Sequence, residues 1–476
     1  MAKTLKNLLH NTYSYFAEKR HPLRTESKEY LHVGNQYDSE EDGIVYPSEE
    51  MQRQSDGVPV EDAEKIEKNS EKTSAMQAAW NILNLIQGTG TLGVPFAVMQ
   101  GGYMSLVAIV VISIITNYTG KLIIECLYEK PFSDQVERGV RLRNSYASIG
   151  QECWKKHGSA IVYAAQVMQL SCACVLYLLL VADFFNDLFE HHSLSYSMWT
   201  VIAGGLLLPC VFLNQLKRIS WLSMFSVVAL VMVFTSVIGY GVTKRYTWDF
   251  KLGVTTLQGF PVAWGIILFS FVCHPYLPGI EETMDRPEEF NSVMNYSFLG
   301  SALIKLVYGF IAVLTFKDKT QQEISENLPA GALQNTANCL LGLNGMFSYA
   351  LPLFTLITIV HKAQITCIPS CFPDEKHPLT IKERVMIYSL RSTFVIFTVI
   401  IAVLLPQFSL LMAVIGSVSG VMLTLVFPCL FDVILHLEHI SSRRYVINLL
   451  IVCVGVLSGG FGFVFSLIAI MKVYVK

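Results

Sequence analysis

Between Thr73 and Gly120 the sequence runs for 48 residues without an aspartate, glutamate, lysine or arginine. A helix needs roughly 20 apolar residues to cross a bilayer, so this stretch is long enough to cross twice. In hydrocarbon every backbone N–H and C=O must find a partner inside the segment, which leaves helices and closed barrels as the only options. Runs of this length without period-two alternation exclude barrel strands. The pattern continues to the end of the chain. Residues 1–73 hold 10 Lys/Arg and 15 Asp/Glu, whereas the following 403 residues hold only 25 and 22. A soluble chain is about 25 % charged; this one is 15 % charged and 52 % hydrophobic. A soluble enzyme, a nucleic-acid binder and a disulfide-rich secreted scaffold are excluded. The chain is an all-α, multi-pass membrane protein.

About 11 transmembrane helices are expected, at 75–98, 104–125, 159–182, 195–213, 219–241, 257–280, 292–316, 332–360, 385–405, 407–430 and 446–470. Lys and Arg collect on cytoplasmic loops. With the N-terminus in the cytosol, the inside loops carry fifteen of these residues and the opposite loops seven, and the C-terminus is lumenal. Residues 1–73 read as a disordered, acidic cytoplasmic tail, and 74–476 as the transmembrane domain. The tail offers Tyr13-Ser14-Tyr15-Phe16 and Tyr30-Leu31-His32-Val33 to sorting adaptors, since such segments add to an exposed sheet edge. Most cysteines lie in apolar stretches and act as small hydrophobes. Cys367 and Cys371 lack a second Cys/His pair, so no metal site is expected, nor any cofactor. Asn117 and Asn295 head glycosylation sequons inside spans, where they stay unused.

Gly88, Gly90 and Gly93 form a G-x-G-x-x-G pattern with Thr89 and Thr91 interleaved and Pro95 following. A nucleotide site would need a strand before it and an acid about 20 residues after it, and neither is present. Inside a spanning helix, three glycines and a proline break it. Such a break persists only where it is buried in protein or lines a cavity. A second break stands in the sixth span at His274-Pro275-Tyr276-Leu277-Pro278-Gly279. Paired interruptions in spans one and six point to the binding site of a transporter built as a five-plus-five inverted repeat. Neither break carries a charged residue of its own. A zwitterion needs none, because freed amides hold its carboxylate and freed carbonyls its ammonium. Gly88, Thr89, Gly90, Thr91 and Gly93, with Ser270 and Phe271 ahead of the second break, are the candidate substrate contacts. His274 and Lys305 are candidates for proton coupling; the alternatives are a capping role for His274 and a structural cation held by carbonyls for Lys305. Arg391 is expected to reach the headgroups, and Asp183 and Asp187 to be solvated at the outer end of span three.

Combined motifs then point to a family. They are Ala79-Trp80-Asn81, Gln87-Gly88, Leu92-Gly93-Val94-Pro95-Phe96, Tyr118-Thr119-Gly120-Lys121, Glu125-Cys126-Leu127-Tyr128-Glu129, Leu277-Pro278, Asn327-Leu328-Pro329 and Gly416-Ser417. Over about residues 74–470 the chain resembles the vesicular inhibitory amino acid transporters of the amino acid/auxin permease family. The resemblance implies a LeuT-like fold and proton-driven loading of GABA and glycine into synaptic vesicles. Two departures widen the choice. The relatives carry bulkier residues at Thr89–Thr91, and His274-Pro275 is more similar to vacuolar members of the family. A vacuolar or lysosomal transporter of broader neutral amino acids therefore stays open, as does a membrane amino acid sensor signalling through the tail.

Overall fold

The computed structural model describes residues 72–129, 139–189, 194–212, 216–248, 250, 255–362 and 381–475. The expected tail and the Cys367–Cys371 segment lie outside these residues. The site-bearing body comprises Thr73–His436 and Ile447–Lys476. The described part of a second unit, Leu437–Val446, is the link that opens the last helix at Ser442.

Among the described residues, nine helical segments are long and apolar enough to cross a membrane, and Tyr196–Cys210 is a shorter apolar one. The first expected span is divided into α1 (Ala75–Gln87), α2 (Thr89–Leu92) and α3 (Val94–Gly101). Ser74 starts it with a reciprocal cap: its hydroxyl accepts from Gln77 N, and Gln77 Oε1 accepts from Ser74 N. Helix α4 (Tyr103–Glu125) follows; Val107, Val110, Val111 and Ile114, spaced for one face, are exposed as lipid contact requires. A short hairpin, β1 (Tyr128–Glu129) with β2 (Val140–Arg141), leads to α5 (Tyr146–Trp154) and the long α6 (Gly158–Leu188). Next come α7 (Tyr196–Leu207) and α8 (Leu216–Thr243).

The sixth span divides into α9 (Gly259–Phe269) and α10 (Leu277–Thr283). Its break opens at Ser270, four residues before the His274-Pro275 motif, because turns close already at Phe271 and Val272. The chain continues through α11 (Phe290–Phe316), α12 (Ala332–Ser348) and α13 (Ala350–Lys362), the last two dividing the eighth expected span at Tyr349. Helices α14 (Ile381–Leu404), α15 (Phe408–Ile415), α16 (Phe427–Leu435) and α17 (Ser442–Val475) complete the order. Between α15 and α16 the backbone widens into π turns over Gly416–Gly420 and Met422–Val426. A Cβ at Gly416 would fall 2.0 Å from the Gly265 carbonyl, so α9 presses directly on this stretch.

The core therefore has α9 against α3 and α15, and α11 across α1 and α3. Thr73, just ahead of α1, is clipped to the end of α10: Thr73 N donates to Thr283 O at 2.7 Å, and Asp285 N to Thr73 O at 2.9 Å. The two interrupted spans stand five apart, as a five-plus-five repeat requires.

Candidate functional site

Each break frees backbone groups that a continuous helix would pair. The two breaks face one another. A Cβ on Gly90 would stand 2.6 Å from Ser270 Cα, so only glycine lets these segments approach so closely. Beside them is a cavity of about 80 Å³. At roughly 10–15 Å³ per water, that is room for several waters or one small amino acid. Gly88, Thr89, Gly90 and Ser270 line it. So do Asn84, Gln169, Tyr177, Tyr276 and Ser348, which bring amides and hydroxyls from α1, α6 and α12 and from the turn before α10. Among the described lining residues there is no Asp, Glu, Lys, Arg or His. The Tyr177 hydroxyl lies within hydrogen-bonding reach of Thr89 and Ser348, which ties one wall together.

Directly behind that wall lies a cation. Lys305, fully buried on α11, donates from Nζ to Ile86 O at 3.0 Å and to Ser270 O at 2.5 Å. Both acceptors belong to cavity-lining residues, one on each side of the pair of breaks. The same ammonium sits 3.9 Å from the Phe271 ring centre, and that ring stacks on Phe298. A third helix thus supplies one hydrogen-bond donor to both breaks.

The other candidates sort by geometry. Thr91 is buried and gives its hydroxyl to Gln87 Oε1 at 2.9 Å, away from the cavity. Gly93 packs against α15, where a Cβ would collide with Met412. Phe271 serves as the floor beneath Lys305. His274 is fully buried outside the cavity lining, with Nε2 3.0 Å from Thr119 Oγ1 and Nδ1 enclosed without a partner. Arg391 is buried, 2 % exposed beside Tyr388, and does not extend to the surface, because α14 turns that face inward. Asp183 is half-buried and engaged by Tyr196, since α7 folds back over the end of α6. The two sequon asparagines pair with each other, Asn117 Nδ2 donating to Asn295 Oδ1 at 2.8 Å. Cys126, Asp432 and His436 gather within 4.8 Å, where Asp432 is held by His436 and Asn448.

A paired break enclosing an uncharged polar cavity is transporter architecture, and the comparisons with known proteins name its kind. The family model for transmembrane amino acid transporter proteins matches residues 71–468. The chain belongs to that family. It is a transporter, not an enzyme. It is 31 % identical over 414 residues to the human vesicular inhibitory amino acid transporter, covering 85 % of this chain and 77 % of that one. It is 32 % identical over 383 residues to the vesicular GABA transporter of Caenorhabditis elegans, covering 78 % and 75 %. Among solved structures it overlaps Mhp1, a nucleobase-cation-symport-1 family transporter in a closed conformation, at 11 % identity over 85 % of this chain and 92 % of that one, with a TM-score of 0.48.

In this amino acid transporter the cavity residues that the sequence did not announce are Gln169, Tyr177, Tyr276 and Ser348. Gln169 and Tyr177 stand on the continuous α6, and Ser348 ends α12 where its span divides. A lone polar residue on a long apolar helix gives no indication of which neighbour it faces. Tyr276 lies inside the second break's motif, so that signal was on the page.

Proposed function

We propose that this chain is a proton-coupled secondary transporter that moves neutral amino acids, GABA and glycine foremost, from the cytosol into acidic vesicles. The cavity carries this reading: polar groups from two helix breaks converge on it, and no charged side chain lines it. A cationic substrate would want a carboxylate there, and an acidic one an arginine. A small zwitterion is matched by freed amides and carbonyls with the hydroxyls of Thr89, Tyr177 and Ser348. Gly88, Thr89, Gly90 and Ser270 meet the substrate, while Thr91, Gly93 and Phe271 hold the walls. Lys305 and His274 flank the second break as coupling groups.

The vesicular relatives support the address, and the lysine/arginine bias supports a cytoplasmic N-terminus with a lumenal C-terminus. Energetics agree. A proton leaving an acidic lumen supplies roughly 1.4 kcal/mol per pH unit, plus roughly 2.3 kcal/mol per 100 mV. A hundredfold gradient of a neutral solute stores roughly 2.7 kcal/mol. The test is uptake of labelled glycine, GABA, leucine, lysine and glutamate into proteoliposomes with an acidic lumen. Glycine and GABA should accumulate and a proton ionophore should abolish the accumulation. Preference for lysine or glutamate would overturn the reading. Leucine accumulating as well as GABA would move it to a vacuolar or lysosomal carrier of broader range.

A further inference from the structure

Outside the cavity lining, four carboxyls gather where the segment 317–331 passes the ends of α6 and α7. Asp183 and Asp187 lie in the last turns of α6, while Glu323 and Glu326 lie on the segment itself. Asp183 Oδ1 accepts from the Tyr196 hydroxyl at 2.8 Å, and its carboxyl stands within hydrogen-bonding reach of Glu323. Glu323 is 4 % exposed. Its Oε1 accepts from the Ser325 hydroxyl at 3.0 Å, and its Oε2 is enclosed and met by no donor. A second polar group is also enclosed without a partner: the Tyr308 hydroxyl on α11, within the electrostatic reach of Glu323. Asp187 accepts from Asn338 on α12. Among the described residues, the groups acting on the pair are these acids and tyrosines, with no basic side chain.

Two carboxylates in contact away from water repel, and neither brings a hydrogen to the other. One proton turns the same contact into a short O–H···O bond. We propose that Asp183 and Glu323 bind a single proton between them, and that this proton fastens segment 317–331 to the ends of α6 and α7. The site lies outside the cavity and stands or falls separately from the transport reading. Burial, followed by the Asp183 carboxyl, holds Glu323 well above the usual carboxylate range. Desolvation, then Asp183 and Asp187, push Glu326 up to about 7, although part of its side chain reaches water.

The sign follows. The fastened form keeps a proton that a released glutamate, with a pKa of about 4.3, gives up. Opening therefore sheds one proton, and the opening constant rises about tenfold per pH unit between the two values. The fastening is complete at low pH and is lost as pH rises through the closed-form value.

Hydrogen exchange of segment 317–331 in the full-length protein in lipid nanodiscs reads this directly, once the intrinsic exchange rate is divided out. In the unmodified protein, protection should fall about tenfold per unit between about pH 5 and 7. Glu323→Gln supplies an amide donor to Asp183 without a titrating proton, so its segment should stay protected with a profile shallower by about one proton, Glu326 keeping the remainder. Glu323→Ala should leave the segment open at every pH. The infrared band of a protonated carboxyl should be present at neutral pH and lose the intensity of one carboxyl in Glu323→Gln. A flat profile in the unmodified protein, or absence of that band, overturns the proposal. So does a loss of protection on adding EDTA at fixed pH that calcium restores, because a divalent cation would then hold the pair.

Discussion

At one end of the body Glu281 is wholly buried on α10 with Arg141 Nη1 3.3 Å away and the Tyr128 hydroxyl on its other oxygen. At the other end Glu323 is as deeply enclosed, yet its neighbour is the Asp183 carboxyl. The residue type and the burial are the same; the partner differs. A guanidinium brings its own hydrogens, so the Arg141 contact fixes the β1–β2 hairpin to α10 by a charge-assisted contact. A carboxyl partner brings none unless a proton is added. Between the two ends lies a third arrangement, in which Lys305 Nζ, with no acid beside it among the described residues, meets two backbone carbonyls and an aromatic face. The comparison teaches that what a buried acid requires here is decided by what faces it, not by its depth.

Removing the middle arrangement should have the largest effect. Lys305→Met strips the donor from the Ile86 and Ser270 carbonyls, and each unsatisfied buried acceptor costs about 1–3 kcal/mol. A loss of about 2–5 kcal/mol in detergent unfolding is expected, with uptake abolished. Unchanged stability would show that the two breaks do not depend on this brace.

Arg141→Ala should leave Glu281, like Glu323, without a cation beside it. A buried carboxylate left without its cation costs about 3 kcal/mol, toward the low side because Arg141 is partly exposed. Adding Glu281→Gln, which removes the buried charge, should recover part of the loss. No recovery in the double variant would mean that Arg141 acts through Pro278 O, at 3.1 Å, or Glu282, at 3.4 Å, and not through the Glu281 pair.

Much of this arrangement is readable in the sequence, and the unreadable part has a physical cause. Gly88, Gly90, Gly93, His274 and Pro275 mark the interruptions because clustered glycine and proline weaken a helix at one place. The break beginning at Ser270 is displaced from that mark, since the turn tightens ahead of the proline. Lys305 stood out as a charge within a span, but its acceptors, Ile86 and Ser270, are 219 and 35 residues away in the chain. Asp183 and Glu323 lie on separate elements, and either alone resembles an ordinary loop-end acid. Pairing of side chains across helices is what a single sequence withholds.

The smallest expected effect separates two adjacent threonines. Thr89 lines the cavity and Thr91 bonds to Gln87. Thr91→Val should cost about 1 kcal/mol of stability and leave the substrate concentration for half-maximal uptake unchanged. Thr89→Val should raise that concentration about tenfold, the equivalent of one lost hydrogen bond to a charged group. Equal effects from the two would remove the distinction between cavity and wall.

The central claim is that a zwitterion crosses through the cavity between the two breaks in exchange for a proton. Lumenal pH recorded during uptake tests it most directly. Proteoliposomes loaded at acidic pH with a lumenal dye should alkalinise when glycine or GABA is added outside, in proportion to the amino acid taken up, and Gly90→Ala should abolish both signals together. Uptake that proceeds with no change in lumenal pH would contradict the account.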